Sequence, residues 1–420
     1  MKNILIVQNY NANKGDSSVV YTMLDSLRRR NEGNLSYCAT SYDPRKASAD
    51  YGIPTAEFAF NLREIKLRSG VSRIWAFIRE GLWVIYGFVW AILRRFWGLS
   101  LPVPSFKKKT IQLYEQADVV VLPGGHFLTN FNGLGMTFSH FFAMMLAFAM
   151  GKPTMIYAQT IGPFFGIFKI PVRAMTNYIL KHVNVITLRE KGGIKYCKNI
   201  RKVQNTAETV FALNTEKSLI KNVKEFDLIR QKNKILIGMT IHHIYYKHYF
   251  SKQKYITIMS DIMKQIVKGF NAFIVIIPME EAIHSGGDRP LAGKMIEKSG
   301  QADNIYILRE ELSSYLTAAV IANTDIFIGT KTHSIVYGLK GLVPTISISY
   351  QDKSNQFMKM FNVYENAIDM KDLNADDFMK IFGKVYNSID LYRTKQAEEL
   401  PKVKRLAEMN NDILLGLLKK

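Results

Sequence analysis

The densest run of chemistry-bearing residues in this 420-residue chain is Gly329-Thr330-Lys331-Thr332-His333-Ser334, which closes an apolar stretch and opens a helical pattern. A lysine, an imidazole and a helix N-terminus so close together suit an anionic ligand and a proton donor. The next apolar run, after Gly341-Leu342-Val343-Pro344, ends in Tyr350-Gln351-Asp352-Lys353, which places Lys353 beside Lys331 at the same sheet edge. His242, His243 and His248 follow another apolar run that ends at Thr240. Three histidines invite a metal reading, but no Asp, Glu or Cys lies between 228 and 260 to complete a ligand set. Contacts to an anionic substrate, or a plain loop, fit those residues better.

The first half offers weaker signals. In Asn13-Lys14-Gly15-Asp16-Ser17, Gly15 permits a tight turn, and Asp16 or Ser17 can cap the helix that follows. Pro123-Gly124-Gly125-His126 follows an apolar run, so paired glycines allow close backbone approach and His126 is expected to face a ligand. It is neither a Walker loop nor a dinucleotide fingerprint. Gln159-Thr160-Ile161-Gly162-Pro163 and Arg189-Glu190 follow two more runs. An arginine there can fork onto phosphate or carboxylate, or pair with Glu190 at the surface.

These loops share a position: each follows a short apolar run and precedes a helix. Strands are expected at 4–8, 35–39, 119–122, 154–158 and 183–188, and again at 235–240, 272–277, 305–308, 325–328 and 345–349. Helical patterns fall at 17–30, 136–150, 170–182, 254–269, 290–299, 311–322 and 332–340. Uninterrupted apolar strands alternating with helices predict parallel sheets covered on both faces. The expected architecture is therefore α/β, with two doubly wound Rossmann-like domains at 1–215 and 216–372 and a Lys-rich junction near 214–233. The charged helical stretch 373–420 is expected to pack back across the hinge. In such sheets ligands bind beyond the carboxyl ends of the strands, where these loops lie.

Composition excludes several classes. The chain is 48% apolar and 22% charged, the profile of a globular protein and not of a disordered or polytopic one. Cys38 and Cys197 cannot build a disulfide framework, and no Cys/His zinc spacing exists, which points to a reducing compartment. No signal-peptide core follows Met1-Lys2-Asn3, so a cytoplasmic location is expected. Fifty-six basic against 35 acidic residues give +21, a surplus that calls for an anionic partner. Ten of the basic residues and only two acids fall in 61–110, with all four tryptophans. Trp83, Trp90 and Trp97 are seven apart, within about 40° of one another on a helix. Only 13 uncharged residues separate Glu80 from Arg94, too few to cross a bilayer. The segment 73–97 is therefore expected in the interface of an anionic membrane, with those tryptophans toward the acyl chains. Its rival is a buried hairpin with a solvated basic rim. Large aliphatics between the aromatics argue against nucleic acid.

Read together, the motifs resemble the polysaccharide pyruvyltransferase family. Lys331-Thr332-His333, Val343-Pro344 and Tyr350-Gln351-Asp352-Lys353 match its hallmark of (Arg/Lys)-x-His, a Gly-x-Pro strand and Tyr-x-x-Lys. Asn13-Lys14-Gly15-Asp16, Pro123-Gly124-Gly125, Gln159-Thr160-Ile161-Gly162-Pro163 and Leu188-Arg189-Glu190 match its remaining segments in order. The basic stretch 61–110 is outside that pattern and looks like an insertion. One departure stands out: members usually carry Arg where Lys331 stands, and lysine lacks the bidentate fork.

The resemblance implies a fold similar to the glycosyltransferase B architecture with a cleft active site. It also implies transfer of the enolpyruvyl portion of phosphoenolpyruvate to a sugar of a surface polysaccharide, or of its lipid-linked precursor, ending as a pyruvate ketal. On that reading His333 is the general acid, with Asp16 and His126 as further catalytic candidates. Arg189, Lys331, Lys353, Gly15, Gly124 and Gly125 bind the donor, and Gln159, His242 and His243 the acceptor. No metal and no cofactor are expected beyond phosphoenolpyruvate as co-substrate, and the protein is expected peripherally on the inner face of the cell membrane. The alternatives are a metal-independent glycosyltransferase of the same architecture using a nucleotide sugar and, further off, a non-catalytic membrane scaffold. The chain has no Asp-x-Asp pair, which argues against a metal-dependent nucleotide-sugar transferase.

Overall fold

The computed structural model describes every residue except 12, 31–33, 132, 199, 201, 215, 216, 231–233, 244, 281–286 and 420. The chain divides into two compact units. Unit 1 comprises Met1–Asn11, Val19–Thr209 and Leu406–Lys420; unit 2 comprises Ala12–Ser18 and Val210–Arg405. The change of unit thus falls between Thr209 and Val210, ahead of the Lys-rich stretch, part of which lies outside the described residues.

Unit 1 is built on seven strands: β1 (Lys2–Asn9), β2 (Leu35–Ser41), β3 (Thr55–Glu57), β4 (Val119–Leu122), β5 (Thr154–Gln159), β6 (Val185–Leu188) and β7 (Val203–Asn205). All are parallel, in the order β3-β2-β1-β4-β5-β6-β7. The two-residue period of a strand sends Leu5, Val7, Val120 and Leu122 into one core and Ile4, Ile6, Val119 and Val121 into the other. Burial on both faces is why these strands read as unbroken apolar runs.

Unit 2 holds a second all-parallel sheet: β8 (Ile235–Met239), β9 (Ala272–Ile276), β10 (Ile305–Ile307), β11 (Ile326–Gly329), β12 (Thr345–Ser349) and β13 (Ala367–Asp369). Its order is β10-β9-β8-β11-β12-β13. The two-sheet, doubly wound α/β expectation matches what is observed. The strands β3, β7 and β13 were not expected. Each has three residues at a sheet edge, too short to show periodicity.

The basic, Trp-rich stretch differs from expectation in which way it faces. Its centre is one helix, Gly70–Trp97, closed by Gly98 in the left-handed conformation. Ala76, Glu80, Trp83, Gly87, Trp90 and Ala91 form its buried face, at the three- and four-residue steps of a packed stripe. Trp83 and Trp90 are 2% exposed, so they do not meet lipid. Their indoles donate to Ala59 O (2.8 Å) and Leu101 O (3.0 Å), which satisfies the polar end of each ring inside unit 1. Of the three tryptophans expected outside, only Trp97 is exposed. Many of the arginines are also committed: Arg79 to Glu64 and Glu80, Arg94 to Glu115, and Arg68 to Glu64.

Between this helix and Ser105–Gln116 lies a fully buried ion pair, Lys107 Nζ to Glu80 Oε2 at 2.8 Å, and Asn61 N also donates to that oxygen (2.8 Å). Burial pulls the Lys107 ammonium below its ordinary range, while Glu80 acts against that shift. Lys107→Ala leaves a buried carboxylate without its counter-ion, so we expect a loss of about 3–5 kcal/mol in stability. Calorimetry should show a lowered Tm, largely recovered in Glu80→Leu/Lys107→Met, where neither charge remains. An unchanged Tm in the single variant would mean that water reaches Glu80.

Candidate active site

In unit 2, β11 ends at Gly329 and the helix Thr332–Lys340 begins three residues later, with Lys331 extended at its N-cap. No side chain caps that helix from the N-cap position. Thr330 is fixed to the neighbouring strand end: its amide and its hydroxyl bond Thr240 at 2.9 and 3.0 Å. Ser334 Oγ donates to Lys331 O (2.7 Å) and lies 3.0 Å from Thr240 Oγ1. These bonds hold the turn and leave His333 on the first turn of the helix.

His333 lies directly against Gly15. A Cβ on Gly15 would overlap the imidazole, so glycine is the residue that lets the two meet. The segment around Gly15 is tied to unit 2 by several bonds. Asn13 bridges Glu280, Lys14 Nζ donates to Pro278 O (3.0 Å), and Ser314 Oγ donates to Lys14 O (2.8 Å). Asn13 Oδ1 accepts from Gly15 N (2.8 Å), which shapes the turn. Asp16 follows, half-buried in the first turn of the helix Lys14–Arg29.

Lys331 is not an open cation. Its ammonium, 8% exposed, lies 2.9 Å from Asp288 Oδ1 and 3.2 Å from Glu280 Oε2. Asp288 is the hub: Oδ1 also meets His243 Nδ1 at 2.8 Å, and Oδ2 accepts from the amides of Met279 (2.9 Å) and Glu280 (3.1 Å). Burial pushes this carboxyl up, yet Lys331 and His243 outweigh it and hold it down at about 2. His242 is buried edge-on to Tyr350, with ring centroids 4.7 Å apart. Burial, and then Lys331, holds its proton affinity well below the ordinary value, so it stays neutral. Thr332 Oγ1 lies 3.1 Å from Ser354 Oγ and 3.4 Å from Tyr350 OH, and Lys353 Nζ sits over the Tyr350 ring at 5.9 Å.

Unit 2 therefore gathers Gly15, Asp16, Lys331, His333, Lys353, His242 and His243. Asp288, Glu280 and Thr240 were not among the expected residues. Asp288 supplies the acid that the histidine segment lacked, but from 45 residues away, so no local spacing announces it. Among the described residues no cluster of His, Cys, Asp and Glu is arranged to hold a metal ion.

This network predicts a two-stage loss of stability in acid. The unfolded chain takes up protons below the ordinary histidine value of 6.5, where folded His242 still refuses one, so stability begins to fall there. Asp288, depressed from 3.8 to about 2, adds stability that is complete above 3.8 and lost as pH falls toward 2. That second stage is worth about 2 kcal/mol. Thermal unfolding from pH 7 to 2 should show both, and Asp288→Asn should remove the second. A variant that keeps the second stage would assign it to other carboxylates.

The other expected residues lie together in unit 1. Gly124 packs so closely that a Cβ would sit 2.9 Å from Ala158 O, and a Cβ on Gly125 would overlap the Phe127 ring. Close packing within this unit is reason enough for both glycines. His126 Nε2 lies 2.6 Å from Gly162 O and is buried. Gln159 donates to Pro123 O, and Thr160 N donates to Gly125 O (3.0 Å). Arg189 differs most from expectation. It is 1% exposed, pairs with Glu208 and not Glu190, and donates from Nε to Thr160 Oγ1 (2.8 Å). Its guanidinium serves internal partners within unit 1.

Comparison with known proteins adds to this geometry. The sequence pattern of the family described as polysaccharide pyruvyl transferase matches residues 13–352. The chain is 23% identical over 332 residues to the amylovoran biosynthesis protein AmsJ of Erwinia amylovora, covering 76% of this chain and 77% of that one. Solved structures with the same fold include the UDP-GlcNAc 2-epimerase of Neisseria meningitidis bound to UDP-GlcNAc (TM-score 0.61, 12% identity, all of both chains). MnaA of S. aureus with UDP matches at TM-score 0.63 and 12% identity, over 100% of this chain and 98% of that one. Anabaena HepE in complex with UDP matches at 0.60 and 10%, over all of both chains. These likenesses show a fold of the glycosyltransferase B kind.

Proposed function

The chain belongs to the polysaccharide pyruvyl transferase family and is a transferase, and from that premise we propose that it transfers enolpyruvyl from phosphoenolpyruvate to a saccharide. The product is a pyruvate ketal on a surface polysaccharide or on its lipid-linked precursor. The observation that carries this reading is His333, held on the first turn of a helix against the backbone of Gly15 and next to Lys331.

The chemistry needs a proton on the methylene carbon of the donor, which makes C2 electrophilic. His333 supplies it as general acid. A sugar hydroxyl then bonds to C2 and gives up its proton, for which Asp16, next to Gly15, is the acceptor assigned. The C2–O bond to phosphate breaks, inorganic phosphate leaves, and a second hydroxyl closes the ketal. The N-terminal turn of the helix Thr332–Lys340 and Lys353 offer the positive field for the donor anion. Lys331, already partnered by Asp288 and Glu280, holds the loop in shape and adds field, not an open charge. Arg189, bonded to Glu208 and Thr160 through its side chain and to Gln159 O through its amide, holds the loops of unit 1 in place.

A nucleotide-sugar transferase is the second reading, favoured by the UDP ligands of the structural neighbours. Incubation with phosphoenolpyruvate or with UDP-sugars, together with a saccharide acceptor, separates the two. Phosphate release with an acceptor heavier by one ketal-linked pyruvate supports the first; release of UDP supports the second. A lipid-linked acceptor and a peripheral position on the inner face of the cell membrane belong to the same proposal, supported by the +21 charge.

A further inference from the structure

The helix Gly70–Trp97 is apolar on two opposite sides. One side carries Trp83 and Trp90 into the core of unit 1. The other carries Trp75, Ile78, Leu82, Ile85, Val89 and Phe96, at steps of three, four and seven residues that keep them on one stripe. These side chains are outside: Trp75, Leu82, Ile85 and Phe96 are each between 64% and 67% exposed. A continuous apolar stripe along a helix about 42 Å long is not left to water without a partner.

Charge selects the partner. The exposed charged residues between 66 and 109 are all basic; Arg68 and Arg94 are paired with Glu64 and Glu115, which leaves Lys66, Arg73, Arg95, Lys108 and Lys109 to form the cationic rim. The only acid of the helix, Glu80, is buried against Lys107. A second copy would set two such cationic rims, and two chains of +21, against each other. Anionic lipid phosphates would neutralise the rim while the acyl boundary takes up the stripe. By length and composition this helix could cross a bilayer, contrary to the expectation from its uncharged span, but the Glu80–Lys107 pair and the two indole bonds tie its opposite side to unit 1, which favours a position in the membrane plane.

We infer that the outward stripe of Gly70–Trp97 is the surface that docks on an anionic bilayer, with the helix lying in the plane of the membrane. This rests on the membrane position proposed above and replaces the Trp83–Trp90 face as the contact. The test is co-sedimentation of the full 420-residue chain with vesicles of phosphatidylglycerol and phosphatidylcholine, and with phosphatidylcholine alone. The mixed vesicles should retain the chain, less so at high salt. Trp75→Ser/Leu82→Ser/Ile85→Ser should lower retention at least about tenfold with Tm unchanged, since exposed apolar area is what binds. Brominated lipid gives an independent reading in the unmodified chain: indole emission is quenched, and Trp75→Phe removes part of that quenching.

Equal retention of the triple variant would overturn this surface and leave the membrane reading standing. An unmodified chain that ignores anionic vesicles would overturn both. A dimer that the triple variant dissociates, without retention on vesicles, would assign the stripe to a second copy and reject the inference.

Discussion

Replacing His333 with Asn should lower turnover by about 10²–10⁴, the usual share of general acid catalysis, while donor binding should change far less. Asn is close to imidazole in size and keeps one hydrogen-bond donor, but it has no proton to deliver near neutral pH. The turn around it should persist, because Thr330 and Ser334 hold it through Thr240 and not through His333. Single-turnover rates and donor titration separate the two effects. Weakened donor binding with chemistry intact would make His333 an anion ligand, and the acid would have to be sought elsewhere.

The second expected result uses a residue with no side chain. Gly15→Ala should cost turnover at least about 10²-fold, the scale of a misplacement near 1 Å. The reason is geometric: a new Cβ would occupy the space of the His333 ring, so the ring must move. Stability should fall as well, by about 1–3 kcal/mol, because the new Cβ would lie under 3 Å from Cγ and Cβ of His333, which cannot give way without shifting the turn that carries them. A variant that stays folded at the assay temperature yet is nearly inactive would separate positioning from folding. Full activity in Gly15→Ala would show that the imidazole acts from another position, or not at all.

Much was legible along the chain. Ten strands, two parallel sheets and the loops after β1, β4, β5, β6, β8, β11 and β12 follow from local patterns, because apolar period and turn residues act over a few positions. The Lys331–His333 turn was legible for the same reason. Direction and partnership were not. Trp83, Trp90 and Trp97 have the spacing of one stripe, yet a helix apolar on both sides does not say which stripe is buried. Trp83 and Trp90 join the core of unit 1, where Ala59 O and Leu101 O accept their N–H groups and so remove the cost of burying them.

The same division holds in the site. Spacing alone determined that Lys331 and His333 leave the end of β11; it put Gly15 in a turn with Asp16 or Ser17 as the helix cap, whereas the helix starts at Lys14 and takes all three into its first turn. Only tertiary structure decided that Gly15 lies against His333 and that Asp288 and Glu280 take up Lys331. It also turned Arg189 inward to Glu208. A charge has no fixed partner along a chain. Which opposite charge reaches it depends on the sheet order, and a buried charge left without one costs several kcal/mol, so the fold settles the pairing.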